Sequence, residues 1–445
     1  MKITQRARTS VLSVFTITAV MFGTAACGDE ASSEQDSVDT SETATLQWWS
    51  WNPDTNTVGD YLEGFEAAHP EITVEHRFIQ YSDYVNGSRL ALQSDDGPDV
   101  FGLQVGSMSE QFAPLATDLA PLAVAGIGED WTDQMLATDQ FVVDEKQVAM
   151  PWMITGAGTI WTNDAVLAEA GVEAPTTLDE WKVVCEKLAA IDKACLVQGA
   201  KDGWQNLDVF QAIANQIDTG AFYDSIGGTK PFDSPEMIKA FDAWKHLFDA
   251  GIIQEGALAS AAYPDAADAF RQGDAGMIAF GTWQNSDATN SVTSAYAETY
   301  GDSTISDTIF TPHPFPAVVP DATTGSLAGG PDVGWAISAN SDEPDAAWTF
   351  VQWLTASDDG QALIGKTLQQ PALKSVSIDM SDVKTPEQIK ALDAQLPALE
   401  DMAGPRQIKN ADVQTALETE LASVASGQSS SADAVAVVQK VIDGS

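Results

Sequence analysis

The stretch Val148–Asp164, VAMPWMITGAGTIWTND, places two tryptophans, two glycines and a proline on a run that reads as extended. Pro151 confines Met150 to extended geometry. The residues from Trp152 to Trp161 are apolar with interspersed Thr, and Asn163 or Asp164 can cap a helix starting at Ala165. The chain reads as one α/β unit before this stretch and as another after it, so the stretch is expected to be a crossing point. The plainer alternative is a core strand with two packed tryptophans.

Upstream, Thr45–Ser50 reads as a strand that leaves through Trp51, Asn52, Pro53 and Asp54. Val58, Tyr61, Leu62 and Phe65 recur at helical spacing, His69-Pro70 stops that helix, and Ile72–Phe78 and Val100-Phe101 supply two further strands. This β-α-β-α-β order predicts a parallel sheet flanked by helices. Downstream, Thr177-Leu178-Asp179-Glu180 is a capping box, a short strand starts near Leu196, and Ser234-Pro235 starts a helix with an inward stripe of Met237, Ala240, Phe241, Trp244 and Leu247. The run Phe270–Phe280 reads as a helix end, a glycine turn and a strand that delivers Gly281-Thr282-Trp283-Gln284 at its carboxyl end, where open α/β sheets bind ligands. Thr311–Pro320 holds four prolines and reads as a connector, and Gly325–Gly334 leads into a strand over Val333–Ser338. Helices follow, with Ala347, Trp348, Val351 and Leu354 turned inward in the first of them.

At 445 residues the chain calls for two domains or lobes. Its 65 acidic against 21 basic residues, a formal charge of -44, exclude nucleic acid as a partner and suit an outside environment. The N-terminus has Lys2, Arg6 and Arg8, then an apolar run of 12 residues, Val11–Phe22, and Gly23-Thr24-Ala25-Ala26-Cys27. Such a run fits a secretory signal and is too short to span a bilayer. The small residues before Cys27 resemble a lipoprotein lipobox, although Thr24 stands where Leu is usual; a plain cleaved signal is the alternative. Residues 1–26 are therefore expected to be a signal peptide and 27–44 a disordered acidic tether with a span on the order of 20 Å. Cys185 and Cys195 remain, an even pair that would staple a helix to a strand, the alternative being two reduced buried thiols.

An enzyme reading does not find its parts. GxSxG, HExxH, phosphate loops and metal-spaced histidines are all missing, and His69, His76, His246 and His313 are scattered. The expectation is no enzyme activity, no cofactor and no metal. Aromatics at loop positions carry more information: Trp48, Trp49 and Trp51 at one strand end, Trp152 and Trp161 in the opening stretch, Trp204 in a loop and Trp283 after a strand. An indole face contacts the C–H groups of a pyranose while neighbouring Asn, Gln and Asp satisfy its hydroxyls. Core packing is the competing role for each.

The motifs GFEAAHPEITVE (64–75), GPDVF (97–101), AMPW with IWTND, AGVEAPTTLDEW (170–181), FRQGDAGMIAFGTW (270–283) and GGPDVGWAIS (329–338) occur in an order that resembles the extracellular solute-binding proteins of carbohydrate ABC transporters, the maltose-binding-like family. The resemblance covers residues 45 to 440. It implies an α/β, two-lobed periplasmic-binding-protein-like fold of type II, each lobe a central sheet flanked by helices, with the ligand cleft between them. Lobe one would take 45–149 plus 318–365 and lobe two 150–317 plus 366–445, with Val148–Pro151 as the first hinge crossover. The cleft residues it implies are Trp51, Asn52, Gln104, Trp152, Trp283, Gln284, Gly330 and Asp332. Tyr84 and Trp204 are added from loop position, Trp161 is assigned to packing, and no contact is carried onto Thr162. The implied function is a lipid-anchored receptor, monomeric and held outside the membrane through Cys27, that captures a neutral mono- or oligosaccharide by hinge closure and delivers it to ABC permease subunits. A secreted carbohydrate-active enzyme, or a polyamine or peptide binder of the same fold, is the alternative. Charged ligands are disfavoured, because the 18 bases left after Lys2, Arg6 and Arg8 are removed from 21 do not cluster near the candidate residues; Arg271 reads as a structural residue of its helix end.

Overall fold

Three strands do fill the opening stretch from Met150 to Asn163, but they serve three sheets in turn, and the helix already begins at Asp164. The computed structural model describes residues 43–444 except 56, 95 and 96; the stretches expected to form a signal peptide and a tether, with Cys27, lie up to residue 42 outside the described residues. Numbered in chain order, the strands begin with β1 (Ala44–Ser50), β2 (Ile72–Phe78) and β3 (Val100–Leu103). A small hairpin, β4 (Val142–Val143) and β5 (Lys146–Gln147), precedes β6 (Met150–Pro151), β7 (Met153–Ala157) and β8 (Thr159–Asn163). Then come β9 (Ala194–Val197), β10 (Ala275–Ile278), β11 (Phe310–Pro314), β12 (Ala328–Pro331), β13 (Gly334–Ile337) and β14 (Gln370–Pro371).

The first sheet has the order β2-β1-β3-β13-β6. Its first three strands are parallel, with the helices Val58–Ala68 and Tyr81–Ala91 as crossovers, whereas β13 runs antiparallel to β3 and β6. The second sheet has the order β11-β8-β10-β9. Between them stands a three-stranded sheet, β12-β7-β14, in which three chain passages lie antiparallel side by side.

Two expectations move. Met150–Pro151 belongs to the first sheet, where Met150 pairs with Trp335, so the passage between sheets starts at Met153 and not over Val148–Pro151. Pro151 is tolerated there because β6 is an edge strand, where a missing N–H breaks no ladder. The same logic overturns the reading of Thr311–Pro320 as pure connector: Pro312 and Pro314 sit in β11, the edge of the second sheet, paired with Trp161 and Thr159. Gly158, at φ +111, makes the break between β7 and β8 that a side chain would strain.

Each of the two large sheets packs against its own apolar core. Trp48, Trp152 and Trp335 meet edge to face or tilted on the first sheet, beside Phe350 of the helix Pro344–Ala356. Around the second sheet, Trp181, Phe210, Phe241 and Trp244 are buried with Leu417 and Leu421 of the helix Ala411–Ala425. Val318 and Val319 also belong to this core, so the chain returns to the first sheet only through β12. Local signals explain the helices. Ser234 Oγ accepts from Met237 N at 3.3 Å with Pro235 behind it. Thr177 caps its helix, while the Glu180 carboxylate reaches past the expected partner to accept from Thr176 N at 2.8 Å. Cys185 and Cys195 form a disulfide between the helix Leu178–Ala189 and β9. Among the described residues no helix is long and apolar enough to cross a membrane.

Candidate ligand-binding site

The carboxyl ends of strands from both large sheets open onto one cleft of about 400 Å³. From the first sheet come Trp51 and Asn52 after β1, Gln104 after β3, and Asp332 before β13; from the second come Trp283 and Gln284 after β10, joined by Trp204 at the start of the helix Gly203–Ile217. Trp152, 1% exposed, closes the floor between β6 and β7, its ring packed on Tyr61 and Trp335.

Aromatic rings build one wall. Tyr263 stacks on Phe280 at 5.0 Å and 20°, and Trp204 lies near-parallel to Tyr263 at 6.3 Å. Trp283 stands edge-on to Trp204 at 6.2 Å and its indole N–H donates to Tyr263 Oη at 3.2 Å. The ring folds back over Gly281, where a Cβ would come within 2.1 Å of Trp283 Cζ3, so this turn admits only glycine. Trp51, from the first sheet, meets Tyr81 edge-on at 5.3 Å, and Tyr81 in turn meets Trp204 edge-on at 6.3 Å.

Polar groups are tied into two networks. In one, the Arg406 guanidinium forks onto Asp208, with Nε–Oδ1 at 2.8 Å and Nη2–Oδ2 at 3.0 Å, and donates through Nη1 to Asp332 Oδ1 at 3.1 Å. Gln104 Nε2 donates to the same Asp332 oxygen at 2.5 Å and its Oε1 accepts from Tyr81 Oη at 2.5 Å. Burial disfavours the Arg406 charge, but Asp208 and Asp332 outweigh it and hold the group protonated. Burial pushes the Asp208 carboxyl up while Arg406 pulls it back. The second network joins Arg271 to Asp287 at 3.5 Å and to the Tyr296 face at 4.4 Å; Tyr296 Oη donates to Asp287 Oδ1 at 2.8 Å. Gln284 Nε2 also donates to Asp287. Burial pushes the Tyr263 phenol up to about 12, so at neutral pH it is a hydrogen-bonding hydroxyl. This set of groups can stack rings and exchange hydrogen bonds with hydroxyls. Among the described residues no cluster of three His, Cys, Asp or Glu could hold a metal ion.

The model of the bacterial extracellular solute-binding proteins matches residues 50–361. The chain belongs to this family. Comparison with curated proteins found no match. Among solved structures the chain is similar to a chitin oligosaccharide binding protein, at 21% identity and TM-score 0.72 over 91% of this chain and 99% of that one. A maltose-bound protein of T. maritima gives 21% and 0.72 over 90% and 100%. An ABC substrate-binding protein from Listeria monocytogenes in complex with cycloalternan gives 18% and 0.72 over 90% and 98%. These likenesses establish the two-lobed α/β fold of the solute-binding proteins.

Within this solute-binding protein, eight of the ten expected cleft residues line the cavity: Trp51, Asn52, Gln104 and Trp152, then Trp204, Trp283, Gln284 and Asp332. Tyr84 does not. It is fully buried behind Trp51, and its hydroxyl donates to Trp49 O and Gly102 O. Gly330 does not either, because it sits inside β12 with the Gln140 side chain against it. Trp161 is fully buried, its indole N–H donating to Gly281 O at 3.3 Å. The expectation that no bases gather at the cleft fails, since Arg271 and Arg406 both line it, each matched by aspartate. Sequence reasoning missed Tyr81, Tyr263 and Arg406. Tyr81 opens a helix right after β2, a strand-exit signal of the kind applied to Trp51, whereas Arg406 lies in a loop of no regular pattern, 198 residues from Asp208.

Proposed function

We propose that the protein is the substrate-binding component of an ABC importer for a neutral sugar, an oligosaccharide held between the aromatic wall of Trp204, Tyr263 and Trp283 and the Trp51–Tyr81 side. The observation that carries this reading is the aromatic wall itself, in a cleft also lined by Gln104, Gln284 and Gln369, side chains that carry both donors and acceptors. The similar solved structures bound to maltose and cycloalternan support the same class. The five lining aspartates Asp54, Asp202, Asp268, Asp287 and Asp332 exceed the two arginines and disfavour acidic sugars. A polyamine or peptide site would want that acidity without the rings.

In this reading the lobes are the regions around the two large sheets, and β7, β12 and β14 are the three strands that bend as the cleft opens. The molecule does no chemistry on its ligand. Cys27 carries the lipid that holds it at the outer face of the cell membrane, with the acidic tether as spacer, and the loaded form docks on the permease. Calorimetric titration of the purified protein with maltose, xylose, chitin and mixed-linkage oligosaccharides tests the assignment: saturable one-site binding is expected, and silence across the panel rejects it. Labelling with radioactive palmitate, lost on Cys27→Ser, tests the anchor.

A further inference from the structure

The segment between the helices Leu396–Glu400 and Ala411–Ala425 contacts both sides of the cleft. Toward the second core, Arg406 forks onto Asp208 and its carbonyl accepts from Gln211 Nε2 at 3.0 Å, both on the helix Gly203–Ile217, while Ile408 is buried in that core. Toward the first sheet, Arg406 Nη1 reaches Asp332, and Ser107, just after β3, donates through its N–H to Ile408 O at 2.8 Å and through Oγ to Gln414 Oε1 at 2.7 Å. The Arg406 guanidinium also lies 4.1 Å over the Trp283 ring and 5.4 Å from Trp204. One side chain therefore ties an aromatic wall on one side to a carboxylate on the other.

We propose that Arg406 is the positioning residue of closure: anchored to the second lobe by Asp208, it latches the first lobe through Asp332 and sets the pose of Trp283 in the same movement. This rests on the reading of the protein as a cleft that captures by closing. The energetics suit a latch that must release. Arg406, Asp208 and Asp332 are 9%, 7% and 8% exposed, and a buried triad of one positive and two negative charges gives back much of its Coulomb gain in desolvation. Opening restores water to all three groups, so the contact fixes geometry without locking the cleft. Gln104 and Tyr81 complete the latch by holding Asp332 from the first lobe.

The test measures the distance between the lobes with no ligand added. In a Cys27→Ser background, nitroxides on Leu90→Cys and Val437→Cys, both exposed and on helices of opposite lobes, report that distance by pulsed electron resonance. Asp332→Asn, nearly isosteric, and Arg406→Lys, which keeps the charge but cannot hold both carboxylates, should each raise the ratio of long to short distances about tenfold. Lys245→Gln, which breaks the exposed Lys245–Asp249 pair, should not change it. A folded Asp332→Asn protein with the unaltered distance distribution overturns the latch, and that variant decides the matter if Arg406→Lys fails to fold. Titration of the same proteins with maltotriose keeps the two ideas apart: a native protein that ignores the sugar counts against sugar capture, while the distances alone decide the latch.

Discussion

Replacing Trp283 by alanine removes an indole with three separable roles. Its N–H bond to Tyr263 Oη, 3.2 Å long, is worth about 1 kcal/mol net. The Arg406 guanidinium over its face adds about 1–2 kcal/mol in this partly desolvated setting. Both belong to the folded protein, so stability should fall by roughly 2–3 kcal/mol, a cost that a chain of this size can absorb. If the ring also faces a sugar, the loss of a stacking hot spot costs a further 2–4 kcal/mol of binding, about 30-fold to 1000-fold in Kd. Urea denaturation reads the first quantity and calorimetry the second. Trp283→Phe separates them, because it keeps a ring and drops the N–H: stability should fall by about 1 kcal/mol with Kd within roughly tenfold of native. Trp283→Ala binding as tightly as the native protein, with its fold intact, would refute the placement of this ring in the ligand wall.

Other predictions follow from particular contacts. Gly281→Ala would set a Cβ 2.1 Å from Trp283 Cζ3 and 2.3 Å from Gly156 O, so it should weaken sugar binding at least as much as Trp283→Phe, measured by calorimetry. Cys185→Ser with Cys195→Ser opens a loop of sequence separation 10 and should lower stability by about 3 kcal/mol in urea titrations. His76, against Ser50 Oγ at 3.0 Å, is pushed down to about 4 by burial. Its folded value lies below its ordinary one, so its contribution is complete above about pH 6.5 and is lost as pH falls toward 4. Discounted for its partial exposure, the loss is on the order of 2 kcal/mol, and His76→Gln should flatten that part of the pH–stability curve.

What the sequence made legible was local chemistry at strand ends. The glycine turn and strand before Trp283, the strand end at Trp51, and the caps at Asn163, Thr177 and Ser234 follow from rules a few residues long, whereas Gln104 and Asp332 were expected at the cleft only through the family resemblance. Pairing partners were not legible in the same way. The family resemblance put a hinge at Val148–Pro151, yet Met150 pairs with Trp335 at a sheet edge that suits Pro151, and nothing near position 150 announces position 335. Pro312 and Pro314 made Thr311–Pro320 read as a connector, although an edge strand such as β11 tolerates them. Tyr84 and Trp51 are indistinguishable as loop aromatics; only packing puts one behind the other. Arg406 is the extreme case, since its importance comes from carboxylates 198 and 74 residues away.

The central claim is that a neutral sugar lies between the lobes on the aromatic wall. Its most direct measurement is a crystal structure of the protein grown with the tightest-binding oligosaccharide from the calorimetric panel. The account predicts an intact sugar in this cleft, with a pyranose ring on Trp204 or Trp283 and hydroxyls on Gln104, Gln284 or Gln369. A sugar bound elsewhere on the surface, or cleaved within the cleft, would contradict it.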